Sequence, residues 1–443
     1  MFQAGFARLD VTPPLGSPLA GYYAERNAEG ILDPLELNAI ALKDDSNLAV
    51  YITADFLYVR LSAANDIRAL VAEALEIPVE NVFLQGLHQH TSLRIGGKKG
   101  QLSNMEDAAY LDVLYRKYCD VARLAVADLG QARVGVAEKE TAEPISFIRR
   151  YRMKDGSTRT NPGYLNPDIL EPIGRADNTV RLLRFFREGK KDIALVNFST
   201  HPDVVGGKQI SADWPGFVRR MTEKDLEDVH CILVNGAQGD TNHCDFSKPA
   251  ITFKGDPQST EKRYAFSRRM ARIITDAVVS LWAGTVEKCA EPVTCHNRLE
   301  YIPTNTKYID EIDRFKEMKR QKEAGEIKLA LGPNAEMVRV LALYEESLFQ
   351  KVPAAVLGFG DFAIAGFGGE PFTWYADKAR EDAPDLYVIG ACLVNGGEGY
   401  LPTEEAFDEG GYEAVSTRFT KPVAAMIPAA VKAMLDEHKK ARG

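Results

Sequence analysis

A histidine pair separated by one residue is the first feature of this chain that could do chemistry. His88 and His90 follow the apolar run 82–84, and the chain has only 7 histidines in 443 residues. In an extended segment, residues i and i+2 point to the same side, so both imidazoles can reach one site. Imidazole is a common ligand of first-row metals. The pair therefore indicates a metal site, and the alternative is a surface turn with two solvated rings.

Two further candidate ligands follow apolar runs later in the chain. His201 comes after the run 193–198, and Glu370 comes after the run 361–366. With His88 they supply two imidazoles and one carboxylate, a ligand set of zinc hydrolases. Metal-bound water in such a site becomes a nucleophile near neutral pH. His90 could act there as a general acid/base or bind an oxyanion. Alternatively, His201 ends a turn and Glu370 caps a helix.

The elements that must position these residues show a repeated order. Three times a strand ends in a polar residue, and a second strand does the same 30 to 39 residues later, as in Asp55 and His88, His201 and Asp240, and Glu370 and Tyr400. This pattern predicts a repeated strand–helix–strand unit. Ligands gather at the carboxyl ends of strands in α/β sheets, so we expect these six residues to converge on one cleft.

Hydrophobic periodicity predicts a mixed α/β fold of β-sheets flanked by helices, in one large domain covering 1–443. The predicted strands that matter here are 38–42, 48–54, 82–86, 193–198, 231–235, 361–366 and 387–394. The predicted helices are 61–76, 107–129, 216–228, 260–284 and 421–438.

Two polar segments have more than one interpretation. The charged stretch 305–350 predicts an inserted helical hairpin, which is a solvated face, a lid or an oligomer contact. The basic stretch 145–163 predicts either a solvated hairpin or an anion clamp facing a site.

Composition limits the function classes. The chain is 45% hydrophobic and 26% charged, with a net charge of −9, which is typical of a soluble protein and argues against nucleic-acid binding. No apolar run is long enough for a transmembrane helix, and the N-terminus lacks an export signal, so a cytoplasmic location is expected. The 6 cysteines show no C-x-x-C spacing and are expected to be reduced.

The motifs also resemble, in order and spacing, those of the neutral/alkaline (non-lysosomal) ceramidases. The similar segments are 5–14, 20–22, 30–35, 88–92, 198–202, 369–373, 399–405 and 412–417. The resemblance is to the N-terminal zinc amidohydrolase domain of that family. It implies a short member without the family's C-terminal immunoglobulin-like domain.

The resemblance implies a role for each site residue. One Zn²⁺ per chain would be held by His88, His201, Glu370 and Tyr400. The catalytic residues would be His90, which would lie next to the metal ligands without binding the metal, Arg149, which would contact the substrate, and Tyr412, which would polarise the scissile carbonyl.

The chain departs from the family pattern after Gly239-Asp240. The family has Val-Ser-Pro-Asn there, whereas this chain has Thr241-Asn242-His243 and no serine. A zinc-activated water is therefore favoured over a serine nucleophile. Asp55, Asp240, Asn242 and His243 are expected to lie behind the ligands. No long apolar insertion is present to hold a sphingoid tail.

Four functions follow from these observations. The first is a zinc-dependent hydrolase that cleaves an amide bond of an N-acyl substrate. The second is the same zinc site acting on an ester, a lactone or a small sugar-derived substrate. The third is a non-enzymatic protein with a closed zinc site, and the fourth is a two-metal phosphoesterase using Asp55, Asp240 and His243. The expected partner is a small molecule with a carbonyl group, N-acylated or anionic; an oligomer is compatible, and iron or manganese could replace zinc.

Overall fold

The computed structural model describes residues 1–96, 108–250, 259–344 and 347–443. Within these residues, two main β-sheets carry helices on their outer faces, which confirms the predicted mixed α/β class. The larger sheet has, in spatial order, the strands Val229–Asn235, Asp192–Phe198, Thr179–Arg187, Gly130–Glu140, Gln3–Asp10, Glu36–Lys43, Leu48–Ala54 and Val82–Gly86, with Val286–Lys288 beside Gly130–Glu140. The smaller sheet has the strands Val293–Pro303, Phe349–Phe359, Phe362–Phe367 and Tyr387–Ala391.

Five of the longer helices agree with the predicted ones to within a few residues, namely Leu61–Leu75, Ala108–Ala127, Asp213–Leu226, Thr260–Trp282 and Val423–Arg442. The other longer helices are Ile312–Glu323, Leu331–Leu343 and Thr373–Asp382. Residue 107, where one predicted helix began, lies outside the described residues. Among the described helices, none is long and apolar enough to cross a membrane.

A central core lies between the two sheets. Phe2 and Phe185 of the larger sheet stack with Phe359 of the smaller one, with ring centroids 6.1 to 6.4 Å apart. All three rings are buried. Because aromatic burial contributes strongly to stability, these contacts hold the sheets face to face.

The predicted strand–helix–strand repeat is confirmed. Strands Leu48–Ala54 and Val82–Gly86 are parallel neighbours, and so are Asp192–Phe198 and Val229–Asn235, and Phe362–Phe367 and Tyr387–Ala391. One helix connects the two strands of each pair, namely Leu61–Leu75, Asp213–Leu226 and Thr373–Asp382. The two strands of each pair therefore end on the same side of their sheet.

Gln85 joins the three parallel pairs at their carboxyl ends. Its Nε2 donates to the carbonyl oxygens of Asn235 and Cys392, at 2.8 and 2.9 Å. Its Oε1 accepts from the Tyr51 hydroxyl at 3.0 Å. Every polar atom of this buried side chain thus has a partner, as a buried amide requires. The site residues that follow each strand are brought to one place.

The predicted strand 387–394 is shorter in the structure. It ends at Ala391, and the segment after it leaves the smaller sheet to pack on the larger one. Asn395 N donates to Leu84 O at 2.7 Å, and Leu84 N donates to Asn395 Oδ1 at 2.9 Å. The first part of the run 387–394 therefore belongs to the smaller sheet, and the segment after it contacts the larger sheet. Local periodicity does not predict this contact, because Leu84 is distant in sequence.

The stretch 305–350 contains the predicted pair of helices, Ile312–Glu323 and Leu331–Leu343. They pack on each other through Phe315, Met337 and Val340, all of which are buried. Residues 345–346 lie outside the described part. The assignment of this stretch as an insertion into a single domain covering 1–443 stays a prediction.

The basic stretch 145–163 contains an antiparallel hairpin, strands Arg150–Met153 and Thr158–Thr160 with an exposed turn, but two of its arginines are not solvated. Arg149 and Arg150 are only 6% and 2% exposed. Their guanidinium groups turn inward because a buried carboxylate, Glu413, lies within ion-pair distance of both. All 6 cysteines are free thiols, as expected.

Candidate active site

The loop after strand Val82–Gly86 carries the histidine pair, but not in an extended conformation. His88 has φ +76°, in the left-handed region that non-glycine residues rarely adopt. Its N–H donates to Phe56 O at 2.9 Å, which holds the turn. The prediction that His88 and His90 point to one side of an extended segment was therefore wrong. The turn still brings the His88 and His90 rings to 5.0 Å, edge to face.

His88, His201 and Glu370 meet in the buried centre of the site. Glu370 Oε2 lies 3.2 Å from His88 Nε2 and 3.3 Å from His201 Nε2. The three side chains come from three different parallel strand pairs. The convergence of these candidate ligands is thus a direct product of the repeated unit.

Backbone carbonyls fix the orientation of both imidazoles. His88 Nδ1 lies 3.0 Å from Leu57 O, and His201 Nδ1 lies 2.8 Å from Gln238 O. A carbonyl oxygen only accepts, so each Nδ1 carries the proton. The Nε2 atom of each ring then faces Glu370. Metal-binding histidines commonly have this second hydrogen bond.

Two electrostatic states fit these distances, and the surroundings favour one. Protonated imidazoles would hold the pKa of Glu370 well below its usual range, against the opposing effect of burial. However, burial and the charge of Arg149 lower the pKa of His201 to about 3. His201 is therefore neutral near pH 7, so its Nε2 lone pair and the Glu370 carboxylate are two acceptors that face each other. A cation between them would satisfy both.

The residues present therefore fit a bound metal ion. Glu370 Oε2 is buried and has no hydrogen-bond partner among the residues that the structure describes. Within the described ranges, the donor atoms of His88, His90 and His201 lie within 4.8 Å of one another. Two residues of this histidine group, His88 and His201, are also predicted metal ligands. We favour Glu370 as the third ligand because it approaches both Nε2 atoms and brings a negative charge.

His90 stands beside the candidate ligands and turns its ring towards Asp203. His90 Nδ1 and Asp203 Oδ1 are 3.4 Å apart, and the Tyr22 hydroxyl donates to the same carboxylate oxygen. Gly21 packs against the ring so closely that a Cβ there would lie 2.6 Å from it. Burial lowers the pKa of His90 to about 4, so its imidazole is neutral at neutral pH.

Arg149 is placed among the site residues rather than in open solvent. Its Nε donates to Glu413 Oε1 at 2.7 Å, and its Nη2 donates to Gly239 O at 2.9 Å. Its Nη1 lies 3.2 Å from His201 Nε2. The single lone pair of His201 Nε2 can bind either Arg149 Nη1 or a metal ion. Metal binding by His201 therefore requires that the contact with Arg149 Nη1 is broken.

Two tyrosines complete the wall of the site. Tyr400 pairs with Glu370 across a short parallel bridge, and its ring lies 5.6 Å from that of Tyr412. The Tyr412 hydroxyl is 3.2 Å from the Tyr23 hydroxyl. Burial raises the pKa of Tyr400 well above its usual value, while Arg149 acts in the opposite direction. Tyr400 would therefore need a bound cation to become a phenolate ligand.

Asp240 and Asn242 support this wall from behind. Asp240 Oδ1 accepts from Thr373 N and Thr373 Oγ1, both at 2.9 Å, which fixes the chain just after Glu370. Asp240 O accepts from Arg149 N at 2.9 Å. Asn242 Nδ2 donates to Asn161 Oδ1 at 2.8 Å. Burial raises the pKa of Asp240 to about 6.

Asp55 and His243 are not arranged as ligands of a second metal. Asp55 forms a fully buried ion pair with Arg219 and accepts from Gln89 Nε2 at 2.8 Å, so it supports the histidine loop. His243 packs on Phe266, with ring centroids 5.9 Å apart. Across the residues that the structure describes, His88, His90 and His201 form the one group suited to a metal. These contacts give no support to the phosphoesterase alternative.

Three residues at the site were missed by the sequence reasoning. They are Tyr23, Asp203 and Glu413, which contact Tyr412, His90 and Arg149 respectively. Each lies one or two residues from a position that was already singled out. This proximity in sequence was the one signal that could have identified them, because each contacts a residue far away in the sequence.

Comparison with known structures agrees with the motif resemblance. The chain matches a neutral ceramidase from Pseudomonas aeruginosa with a TM-score of 0.72 and 14% identity, covering 99% of this chain and 75% of that one. It matches a ceramidase complexed with C2 with a TM-score of 0.73, the same identity and the same coverage. No protein-family model and no curated protein sequence matches. The chain therefore has the fold of the neutral ceramidases, as its motifs predicted.

Proposed function

We propose that the protein is a metal-dependent hydrolase that cleaves the amide bond of an N-acyl compound. The observation that carries the proposal is the convergence of His88 Nε2 and His201 Nε2 on Glu370 Oε2, at 3.2 and 3.3 Å, in a buried site. Its occurrence on the ceramidase fold supports amide hydrolysis as the reaction. His88, His201, Glu370 and Tyr400 would hold the ion, and zinc suits this nitrogen and oxygen set.

The protein's own groups would complete the reaction around the bound ion. Zinc, when bound, supplies a Lewis acid and lowers the pKa of water. His90, whose Nε2 has no hydrogen-bond partner among the described residues, would take a proton from the attacking water and give it to the leaving amine. The hydroxyl of Tyr412 would donate to the developing oxyanion. Water adds OH to the acyl carbon and H to the amine nitrogen as the C–N bond breaks.

The test combines metal analysis with an amidase assay. Purified wild type is expected to hold about one zinc per chain and to release amine from a short-chain N-acyl amide. His201→Ala is expected to lose both zinc and activity. His296→Ala is the matched control, because His296 pairs with Glu437 at a partly exposed place and contacts none of the site residues.

Each outcome has a distinct meaning. Loss of zinc and activity in His201→Ala, with both retained in His296→Ala, supports the proposal. A wild type without metal after preparation free of chelators contradicts the metal site. A wild type that holds zinc but cleaves no amide contradicts amide hydrolysis.

A second candidate is hydrolysis of an ester or lactone by the same site. The observation in its favour is the cavity that adjoins Tyr23, where seven of the lining side chains are Lys or Arg and could bind a polar substrate. A panel of soluble amides, esters and lactones under identical conditions separates the two. Turnover of esters or lactones with no turnover of amides would favour this candidate.

A further inference from the structure

A cavity of about 830 Å³ lies between the helical pair 312–343 and Tyr23, a neighbour of the candidate active-site residue Tyr412. Helix Ile312–Glu323 and helix Leu331–Leu343 form one wall, and Tyr23 forms part of the other. The structure thus gives the helical pair a position beside the site. No role was derived for it from the sequence beyond a lid, an oligomer contact or a solvated face.

Tyr23 connects this cavity to the reacting centre. Its hydroxyl lies 3.2 Å from that of Tyr412, and its pKa is raised by burial and by the nearby charge of Glu370. A ligand that extends past Tyr23 could therefore occupy the cavity and the site together.

The cavity is strongly positive although the protein is acidic. The chain has a net charge of −9, yet seven of the lining side chains are Lys or Arg and two are Glu. Lys316 and Lys319 pair with Asp313 and Glu323 at 3.6 and 3.7 Å, but these pairs are solvent-exposed. Exposed pairs of this kind contribute little. The charges of Lys316 and Lys319 are therefore only weakly neutralised.

Two of the cations have only uncharged hydrogen-bond partners. Lys322 Nζ donates to Asn334 Oδ1 at 2.7 Å. Arg339, which is 3% exposed, donates to the carbonyl oxygens of Val415, Asn305 and Lys307 at 2.6 to 3.1 Å. Within the described residues, no carboxylate forms an ion pair with either side chain.

A buried cation without a counter-ion is costly unless an anion completes it. Three of the five N–H donors of the Arg339 guanidinium are used by carbonyls, which leaves two. Lys322 has two further donors in the same way. The cavity therefore has the charge and the hydrogen-bond donors to bind a carboxylate or a phosphate.

We propose that this cavity binds an anionic group of the substrate, a carboxylate or a phosphate, while the scissile carbonyl lies at the candidate metal site. This inference rests on the proposed function and narrows it to anionic N-acyl compounds. The helical pair 312–343 would then set specificity by supplying Lys322 and Arg339.

The test uses charge-removing variants that keep hydrogen bonding. Lys316→Gln/Lys322→Gln removes two charges, and the glutamine at 322 can still donate to Asn334. Lys328→Gln is the matched control, because Lys328 is exposed between the two helices and does not line the cavity. Arg339 is left intact, since it ties three backbone segments together.

Binding is measured first, with inorganic phosphate as the probe and calorimetry at fixed ionic strength. The dissociation constant is expected to rise about tenfold in the double variant and to stay unchanged in Lys328→Gln. His201→Ala is included so that binding at the candidate metal site is told apart from binding in the cavity. Phosphate binding that His201→Ala abolishes and the double variant does not change would overturn the proposal.

Kinetics follow with paired substrates of which only one member carries the anionic group. An N-acetyl amino acid is compared with its neutral amide, and an N-acetyl amino-sugar phosphate with the unphosphorylated compound. We expect the charged member of each pair to have the higher kcat/KM. In the double variant, but not in Lys328→Gln, this advantage should be lost because KM for the charged member rises. The preferred pair identifies carboxylate or phosphate as the group.

The two proposals fail in different ways. If amides are hydrolysed but charge has no effect on KM and the double variant binds phosphate like wild type, the cavity proposal is wrong and the proposed function stands. If the double variant weakens phosphate binding but no amide is cleaved, the cavity binds anions and the proposed function is wrong.

Discussion

Arg149 and Glu413 form a buried ion pair directly behind the candidate metal site. Arg149 Nε lies 2.7 Å from Glu413 Oε1, and the side chain of Glu413 is fully buried. Thr160 Oγ1 donates to the other oxygen of Glu413 at 2.8 Å. The pair fixes the guanidinium whose charge, together with burial, lowers the pKa of His201. Electrostatics at the site therefore depend on a residue that contacts none of the candidate ligands.

Glu413→Gln is expected to destabilise the protein by about 3–5 kcal/mol, because Arg149 is left as a buried charge without its counter-ion. Urea unfolding monitored by circular dichroism measures the change. A double-mutant cycle with Arg149→Met is the control for a direct interaction. If the two single losses simply add in the double variant, the residues do not act as a pair.

Gly239 is predicted to control metal affinity, because the backbone of Glu370 packs against it. A Cβ at Gly239 would lie 2.4 Å from Glu370 O and 2.9 Å from Pro371 O, both backbone atoms. Gly239→Ala must therefore displace the carboxylate. We expect zinc affinity to fall about 10–100-fold, as for other changes that disturb the orientation of metal ligands. A zinc-competition titration measures the fall.

Gly284→Ala is the matched control for this variant, since the nearest atom to its new Cβ would be Leu281 O at 3.7 Å, an ordinary contact. It should bind zinc like wild type. Equal zinc affinity in Gly239→Ala and wild type would argue against Glu370 as a ligand.

Asp240 gives a defined pH dependence to stability. Burial raises its pKa to about 6 in the folded protein, against an ordinary value of 3.8. Between these values the folded state holds the proton more tightly than the unfolded state does. The contribution of Asp240 to stability is therefore fully present below about pH 4 and is lost as the pH rises through about 6.

The loss by neutral pH is about 3 kcal/mol, from roughly two pH units at 1.4 kcal/mol each. Asp240→Asn removes the titration. The free energy of unfolding of wild type minus that of Asp240→Asn should fall between about pH 4 and pH 7, because other titrating groups cancel in the difference. A difference that stays constant with pH, or that rises, would show that the Asp240 pKa is not raised.

The sequence was most informative where function depends on repeated local order. His88, His201 and Glu370 each follow the first or second strand of a parallel pair, and such pairs place strand ends on one side. The segments 233–236 and 393–396 repeat the sequence Leu-Val-Asn-Gly near the ends of two of the second strands. Local apolar runs and turn residues were thus enough to predict the sheets and the meeting of the ligands.

The remaining features depend on contacts between distant segments, which local patterns do not carry. Glu413 and Arg149 are 264 residues apart, and Tyr23 and Tyr412 are 389 apart. The left-handed turn at His88 arises from a hydrogen bond to Phe56 O, which periodicity cannot show. Burial of Arg149 and Arg150 likewise follows from a partner carboxylate elsewhere in the chain.

Asp203 is predicted to orient the ring of His90. The carboxylate faces His90 Nδ1 at 3.4 Å and is itself held by the Tyr22 hydroxyl. If His90 is the general acid/base, an oriented ring is needed during proton transfer. Asp203→Asn keeps the size but loses the charge, so kcat is expected to fall about 10²-fold with KM little changed, within the range for general acid–base catalysis.

Zinc content separates this effect from damage to the metal site. Asp203→Asn should keep its zinc, since Asp203 contacts none of the predicted ligands. Tyr22→Phe removes only the support of the carboxylate and should give a smaller loss of kcat in the same direction. Asp203→Glu should restore part of the rate, because the charge returns in a slightly shifted position. A fall in zinc content parallel to the fall in kcat would instead make Asp203 part of the metal site.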